Sequence, residues 1–131
     1  MTSAVRTFTI LVALASGCSK SDARPPAPTT APSPATKDAV AARKMIEAGA
    51  VVLDVRTPAE YSEAHLPAAT NIPVQQFSER IVEVDKLVVG DKARPIVVYC
   101  AAGARAAKAK AQLDAAGYTN VVNGGGYDDL H

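Results

Sequence analysis

Cys100 and Arg105 are the residues whose types and spacing point most directly to chemistry. Cys100 follows the apolar run 95–99 (PIVVY), and Arg105 opens a predicted helix. A short loop of small residues joins them: Ala101, Ala102, Gly103 and Ala104. Backbone N–H groups in so small a loop can turn toward the sulfur, and the helix N-terminus and the guanidinium both add positive charge. The pattern therefore predicts a nucleophilic thiolate at Cys100 inside an anion-binding loop.

A structural interpretation of Cys100 stands beside the catalytic one. Cysteine is among the most buried residue types and packs as a small apolar side chain, here at the end of a predicted strand. The order of strand, cysteine, small loop, arginine and helix favours the catalytic interpretation.

An α/β fold is predicted to position this loop, because strands and helices alternate along residues 37–131. The predicted strands are 50–55, 70–72, 95–99 and 121–122; the predicted helical segments are 37–48, 58–64, 75–84 and 106–116. This alternation favours a mainly parallel sheet flanked by helices. Ligands bind at the carboxyl ends of the strands in such a sheet, and Cys100 lies at one of these ends.

Several other side chains receive specific predictions. Thr57 and Glu60 form a capping box at the start of the second helix, and Arg56 is a further partner for Glu60. Lys110 is predicted to be solvated. The glycines at 124–126 are not predicted to be a nucleotide-binding loop, because no phosphate-binding sequence follows them, and are predicted to form a turn.

Composition excludes several classes of function. The chain has 131 residues, which suits one small domain, and a net charge of +1 with 5% aromatic residues gives no indication of nucleic-acid binding. Two cysteines and two histidines lie at spacings unlike those of a zinc site. We therefore expect no nucleic-acid partner and no metal.

The N-terminal segment is predicted to be a targeting signal. Residues 1–17 contain Arg6 and then the apolar run 8–15, which is too short to span a membrane. The residues before Cys18 resemble the lipobox of bacterial lipoproteins, which implies cleavage before Cys18, its lipidation, and anchoring in the cell envelope facing the periplasm or exterior. An ordinary signal peptide is the alternative. Residues 18–36 are predicted to be a lipidated, proline-rich tether ahead of a domain at 37–131.

Two longer stretches resemble the rhodanese family. Residues 53–74 (LDVRTPAEYSEAHLPAATNIPV) and residues 98–130, which contain Cys-x-x-Gly-x-Arg, are similar to the two halves of a rhodanese-like domain. The resemblance implies a sulfurtransferase with a Cys100 persulfide, a small anionic donor such as thiosulfate and a thiol or cyanide acceptor. It also implies no metal or organic cofactor, donor binding by Arg105 and the loop, and a supporting role for Asp54 and Arg56.

Departures from the family pattern leave the donor anion fewer side-chain hydrogen bonds than in many relatives. Ala106 replaces the hydroxyl residue that many relatives have after the loop arginine, and Ala101 replaces a basic or polar residue.

Two other functions remain open. A rhodanese-like phosphatase or arsenate reductase would use Cys-x₅-Arg, whereas this loop is Cys-x₄-Arg and better matched to a sulfur atom. A non-turnover persulfide carrier or envelope binding module is the remaining alternative. We expect a monomer.

Overall fold

A four-stranded parallel sheet forms the centre of the computed structural model, which describes residues 36–131. Its strands, β1 to β4, lie in the order β2-β1-β3-β4. Their bounds are Val51–Asp54, Ala69–Asn71, Ile96–Cys100 and Val121–Gly126. The two middle strands match the predicted apolar runs, and all five residues of β3 are buried, as expected for a strand covered on both faces.

Register brings the ends of three strands together. Asp54 at the end of β1 pairs with Tyr99 of β3, and Cys100 pairs with Gly126 at the end of β4. Because the strands are parallel, their carboxyl ends lie at one edge of the sheet, where ligands bind in open α/β folds. The position predicted for Cys100 is confirmed.

Helices cover both faces of the sheet. The bounds of α1 to α5 are Ala39–Glu47, Pro58–Glu63, Phe77–Leu87, Ala104–Ala115 and Tyr127–Leu130, with a 3₁₀ turn at Val74–Gln76. Helices α3 and α4 pack on the face that includes Cys100, whereas α1 and α5 pack on the face that includes Tyr99. The capping box predicted at the start of α2 is present. No helix among residues 36–131 is long and apolar enough to cross a membrane.

Two sequence predictions about local structure are wrong. The glycines at 124–126 do not form a turn: they extend β4 to Gly126, beside the Cys100 loop. Lys110 is not solvated, because its stem is buried on α4 and its ammonium group reaches Asp114 at 2.6 Å. A long stem can be buried in this way while the charged end remains paired at the surface.

Candidate active site

Cys100 lies at the bottom of the loop that leads into α4. The residue is 1% exposed, and the N–H of Gly103 donates a hydrogen bond to the sulfur at 2.9 Å. Gly103 has a φ of +101°, a left-handed conformation that favours glycine, and it is the residue before the first turn of α4. The loop therefore turns one N–H onto the sulfur at the positive end of a helix.

Asn123 fixes the other side of this loop. Its buried side chain donates to the carbonyl oxygen of Gly103 at 3.1 Å and accepts from the N–H of Gly125 at 2.9 Å. A Cβ on Gly103 would lie 3.3 Å from the Cα of Gly125, and a Cβ on Gly126 would collide with the carbonyl oxygen of Ala101. The end of β4 thus needs glycine because two backbone segments meet there.

Arg105 is held by a carboxylate beside the loop. Its two terminal nitrogens donate to the two oxygens of Glu60, each at 2.8 Å. The hydrogen bonds from Arg105 and from the Thr57 N–H hold the pKa of Glu60 far below its usual range. The hydrogen bonds with Glu60 in turn raise the pKa of Arg105, and Cys100 makes a smaller contribution. The prediction that Arg56 pairs with Glu60 is wrong, because Glu60 faces α4 rather than the end of β1.

Asp54 and Arg56 form a separate pair on the opposite face of the sheet. Asp54 is fully buried, and Arg56 reaches its Oδ2 at 2.7 Å and the carbonyl oxygen of Ala64 at 2.5 Å. The Arg56 guanidinium also lies 5.5 Å from the centre of the Tyr99 ring and 5.0 Å from that of Tyr127. The hydrogen bonds with Asp54 raise the pKa of Arg56. This pair orders the end of β1 but does not face Cys100.

A second cation lies against the loop from the α1 side. The Cδ of Lys37 would be 3.6 Å from a Cβ on Gly103, and its ammonium group contacts Asp129 at 3.1 Å. Asp129 also accepts from the N–H of Gly126 at 2.8 Å, and these two partners lower its pKa. The rim between the two ion pairs consists of small exposed side chains: Ala101, Ala102 and Ala104.

The predicted residues are therefore only partly brought together. Cys100, Gly103 and Arg105 share one loop, whereas Asp54 and Arg56 lie behind it. Cys18 lies outside the described residues. Within residues 36–131 no group of three or more histidine, cysteine, aspartate or glutamate side chains is arranged to hold a metal.

Three residues of this site were missed from the sequence: Glu60, Asn123 and Lys37. The sequence assigned Glu60 a helix-capping role and Arg56 as a partner, and its proximity to Arg105 is visible only once α2 and α4 are packed. The sequence feature that could have identified Asn123 is its position directly before the glycines at 124–126. It becomes informative only if those glycines are assigned to a strand beside the Cys100 loop.

The chain is similar in sequence to known proteins. The rhodanese-like domain model matches residues 38–130. Thiosulfate sulfurtransferase PspE of Escherichia coli (strain K12) is 41% identical over 60% of this chain and 71% of its own length. Thiosulfate:glutathione sulfurtransferase of Saccharomyces cerevisiae is 33% identical over 54% of this chain and 56% of its own length.

Solved structures agree with the sequence relatives. A structure described as a rhodanese with anions from E. coli superposes with a TM-score of 0.56 and 39% identity, over 63% of this chain and 92% of that one. The predicted fold class, an α/β fold with a parallel sheet flanked by helices, is confirmed. The chain belongs to the rhodanese-like family.

Proposed function

We propose that this domain is a sulfurtransferase that carries a sulfane sulfur on Cys100. The observation that supports it most is the Gly103 N–H donated to the buried sulfur at 2.9 Å, at the head of α4 and beside Arg105. That setting stabilises negative charge on sulfur, both on the thiolate and on a persulfide. The relatives named as thiosulfate sulfurtransferase and thiosulfate:glutathione sulfurtransferase support the same activity.

The reaction proceeds in two displacements at sulfur. The Cys100 thiolate attacks the outer sulfur of thiosulfate, a new S–S bond forms, and the old S–S bond breaks so that sulfite leaves with the electron pair. A thiolate or cyanide then attacks the outer sulfur of the Cys100 persulfide, and the Cys100 thiolate is the leaving group. Arg105 orients the donor through the N–H groups that Glu60 leaves unused, since a guanidinium has five.

The test is direct sulfur loading of the full chain. Treatment with thiosulfate followed by intact-protein mass spectrometry is expected to show the mass of one added sulfur atom, which cyanide removes as thiocyanate. Cys100→Ser should neither load nor turn over, because a hydroxyl forms no persulfide. Cys18→Ser is the matched control, since the chain has two cysteines and this variant keeps Cys100. Loading of Cys100→Ser, or none in the wild type, would refute the proposal.

Two other functions make different predictions in the same assay. A persulfide carrier would load with sulfur but release it to cyanide or glutathione at no appreciable rate. A rhodanese-like phosphatase or arsenate reductase would be inhibited by phosphate-like oxyanions and would not load sulfur. The spacing Cys-x₄-Arg and the single N–H on the sulfur favour a cradle for one sulfur atom over one for a phosphoryl group.

We also propose that the domain at 37–131 is tethered to the cell envelope through residues 18–36 and a lipidated Cys18, after removal of the signal at 1–17. The support is the sequence pattern around Cys18, which lies outside the described residues. Wild-type protein should partition with membranes, and Cys18→Ser should release it or leave the precursor uncut. Soluble wild-type protein with an unmodified Cys18 would contradict the tether.

We propose further that the domain is a monomer. Sedimentation of the form released by Cys18→Ser tests this proposal.

A further inference from the structure

The charged groups that lie against the Cys100 loop are paired. Arg105 is bound through both terminal nitrogens by Glu60, and Lys37 lies over Gly103 with its ammonium group on Asp129. The side chains of the loop itself carry no charge. These two pairs therefore bring no net positive charge to the mouth of the site.

Glu60 is the carboxylate that pairs with the arginine of the Cys100 loop. The side chains of Glu60 and Arg105 are 32% and 28% exposed, so both are open to solvent at the rim. Lys108, one turn along α4, is exposed and its charge is screened by water. Asp54 and Arg56 neutralise each other on the far face of the sheet. Glu60 therefore offsets the positive charge that Arg105 would otherwise present to a donor anion.

Repulsion by a fixed carboxylate scales with the charge of the donor. Thiosulfate is a dianion, whereas an organic thiosulfonate or persulfide carries one negative charge at its sulfur. Coulomb's law makes the energy of the Glu60–donor interaction twice as large for the dianion at the same distance. If removing the Glu60 charge improves use of a monoanion by some factor, it should improve use of the dianion by about the square of that factor.

We propose that Glu60 is a specificity-determining residue that disfavours dianionic sulfur donors relative to monoanionic organic ones, a proposal that rests on the sulfurtransferase function. The donor class that this effect favours relative to thiosulfate is an organic thiosulfonate or persulfide. With a thiosulfonate, the Cys100 thiolate attacks the outer sulfur and a sulfinate leaves with the electron pair. One negative charge enters with the donor and one leaves with the sulfinate, so the persulfide formed carries the charge of the original thiolate.

Glu60→Gln distinguishes the effect of the Glu60 charge from the effect of misplacing Arg105. The glutamine side chain keeps an oxygen that can accept from the Thr57 N–H, so the capping box of α2 is retained. Misplacement of Arg105 would weaken use of the dianion more than use of the monoanion, because the attraction to a cation also scales with donor charge. Loss of the Glu60 charge therefore moves the ratio of the two kcat/KM values toward thiosulfate, whereas a purely structural role for Glu60 would move it toward methanethiosulfonate or leave it unchanged.

The experiment measures kcat/KM for thiosulfate and for methanethiosulfonate with cyanide as the common acceptor. Relative to wild type, loss of the Glu60 charge should raise kcat/KM by about tenfold for thiosulfate and by about threefold for methanethiosulfonate. The ratio of the two values should therefore shift by about threefold toward thiosulfate. High salt should shrink this shift. Glu60→Asp, which keeps the charge, should not move the ratio toward thiosulfate, and Glu63→Gln, which removes an exposed carboxylate on the same helix, should leave the ratio unchanged.

Each outcome decides one proposal. Wild-type protein that turns over neither donor refutes the sulfurtransferase function itself. Wild-type protein that turns over both, with a ratio that stays constant or moves toward methanethiosulfonate in Glu60→Gln, refutes the role of Glu60 alone. The same shift in Glu63→Gln would also overturn it, because the effect would then come from the net charge of the helix.

Discussion

Two arginine–carboxylate pairs lie near the carboxyl edge of the sheet, and they differ in exposure. The side chains of Asp54 and Arg56 are 0% and 8% exposed, whereas those of Glu60 and Arg105 are 32% and 28% exposed. The first pair packs against Tyr99 and Tyr127, and the second stands at the mouth of the Cys100 loop.

The difference in burial assigns the two pairs to different tasks. A buried charge must keep its partner, because water cannot replace it, so Asp54 and Arg56 are committed to the fold. An exposed pair contributes little to stability because water screens both charges, so Arg105 can exchange part of its contacts for a donor. Substitutions in the two pairs should therefore separate loss of stability from loss of activity.

Arg56→Ala should have the largest effect on stability. It leaves the carboxylate of Asp54 buried without a cation, which is expected to lower the free energy of unfolding by about 3–5 kcal/mol. Urea unfolding followed by circular dichroism measures this loss. Arg56→Ala with Asp54→Asn should recover part of it, because the stranded charge is then gone. A loss below about 1 kcal/mol would show that water replaces Arg56 beside Asp54 in the folded state.

Arg105→Ala should lower activity strongly and stability only slightly, the reverse of Arg56→Ala. Charge-assisted hydrogen bonds contribute about 1.5–3 kcal/mol, so kcat/KM for thiosulfate should fall by about ten- to a hundredfold. The free energy of unfolding should change by less than about 1 kcal/mol, since the pair is partly exposed. Arg80→Ala, which removes a pair on α3 at similar exposure, is the control and should keep the activity. A large loss of stability in Arg105→Ala would remove the distinction between the two pairs.

Much of this fold was predictable from local sequence, but the pairing of the charged side chains was not. The apolar β-branched runs before Asp54 and Cys100 and the capping box at Thr57 act over a few residues, so the main elements, the α/β class and the place of Cys100 were confirmed. The sulfurtransferase assignment was supported by the family's motifs and by the relatives named for that activity. The sequence suggested Arg56 as the partner of Glu60, whereas the observed partner, Arg105, is 45 residues away in the chain and is brought to Glu60 only by tertiary packing.

The error at 124–126 has a related cause. Three consecutive glycines favour a turn when only chain flexibility is considered. Their actual role depends on the register that sets Cys100 beside Gly126, where the loop carbonyl of Ala101 leaves no room for a side chain. Long-range register of this kind cannot be inferred from the composition of one segment.

Asn123 extends the comparison to a buried neutral group on the Cys100 side. Asn123→Leu removes the partner of the Gly125 N–H and one partner of the Gly103 carbonyl, which should cost about 1–3 kcal/mol of stability and slow thiosulfate turnover. Asn123→Asp should be less stable than Asn123→Leu at neutral pH, because it buries a charge against a carbonyl oxygen. Its stability should rise as the pH falls, since a protonated carboxyl group can donate again. Urea unfolding at pH 7 and pH 5 tests both; equal stability at the two pH values would contradict this account.

The smallest expected effect is the pH dependence of the exposed pair. Arg105 and the Thr57 N–H hold the pKa of Glu60 far below its usual range, so the unfolded chain binds a proton at this carboxyl more readily than the folded chain does. The stabilisation by ionised Glu60 is therefore fully present above the ordinary glutamate value of about 4.3 and is lost as the pH falls below it. The difference in unfolding free energy between wild type and Glu60→Gln should stay constant from about pH 7 to pH 5 and shrink below about pH 4, by less than about 1 kcal/mol because the pair is solvated. Urea midpoints of the two proteins across that range measure the difference, and a difference that grows toward acid would mean that Glu60 binds its proton more tightly in the folded state.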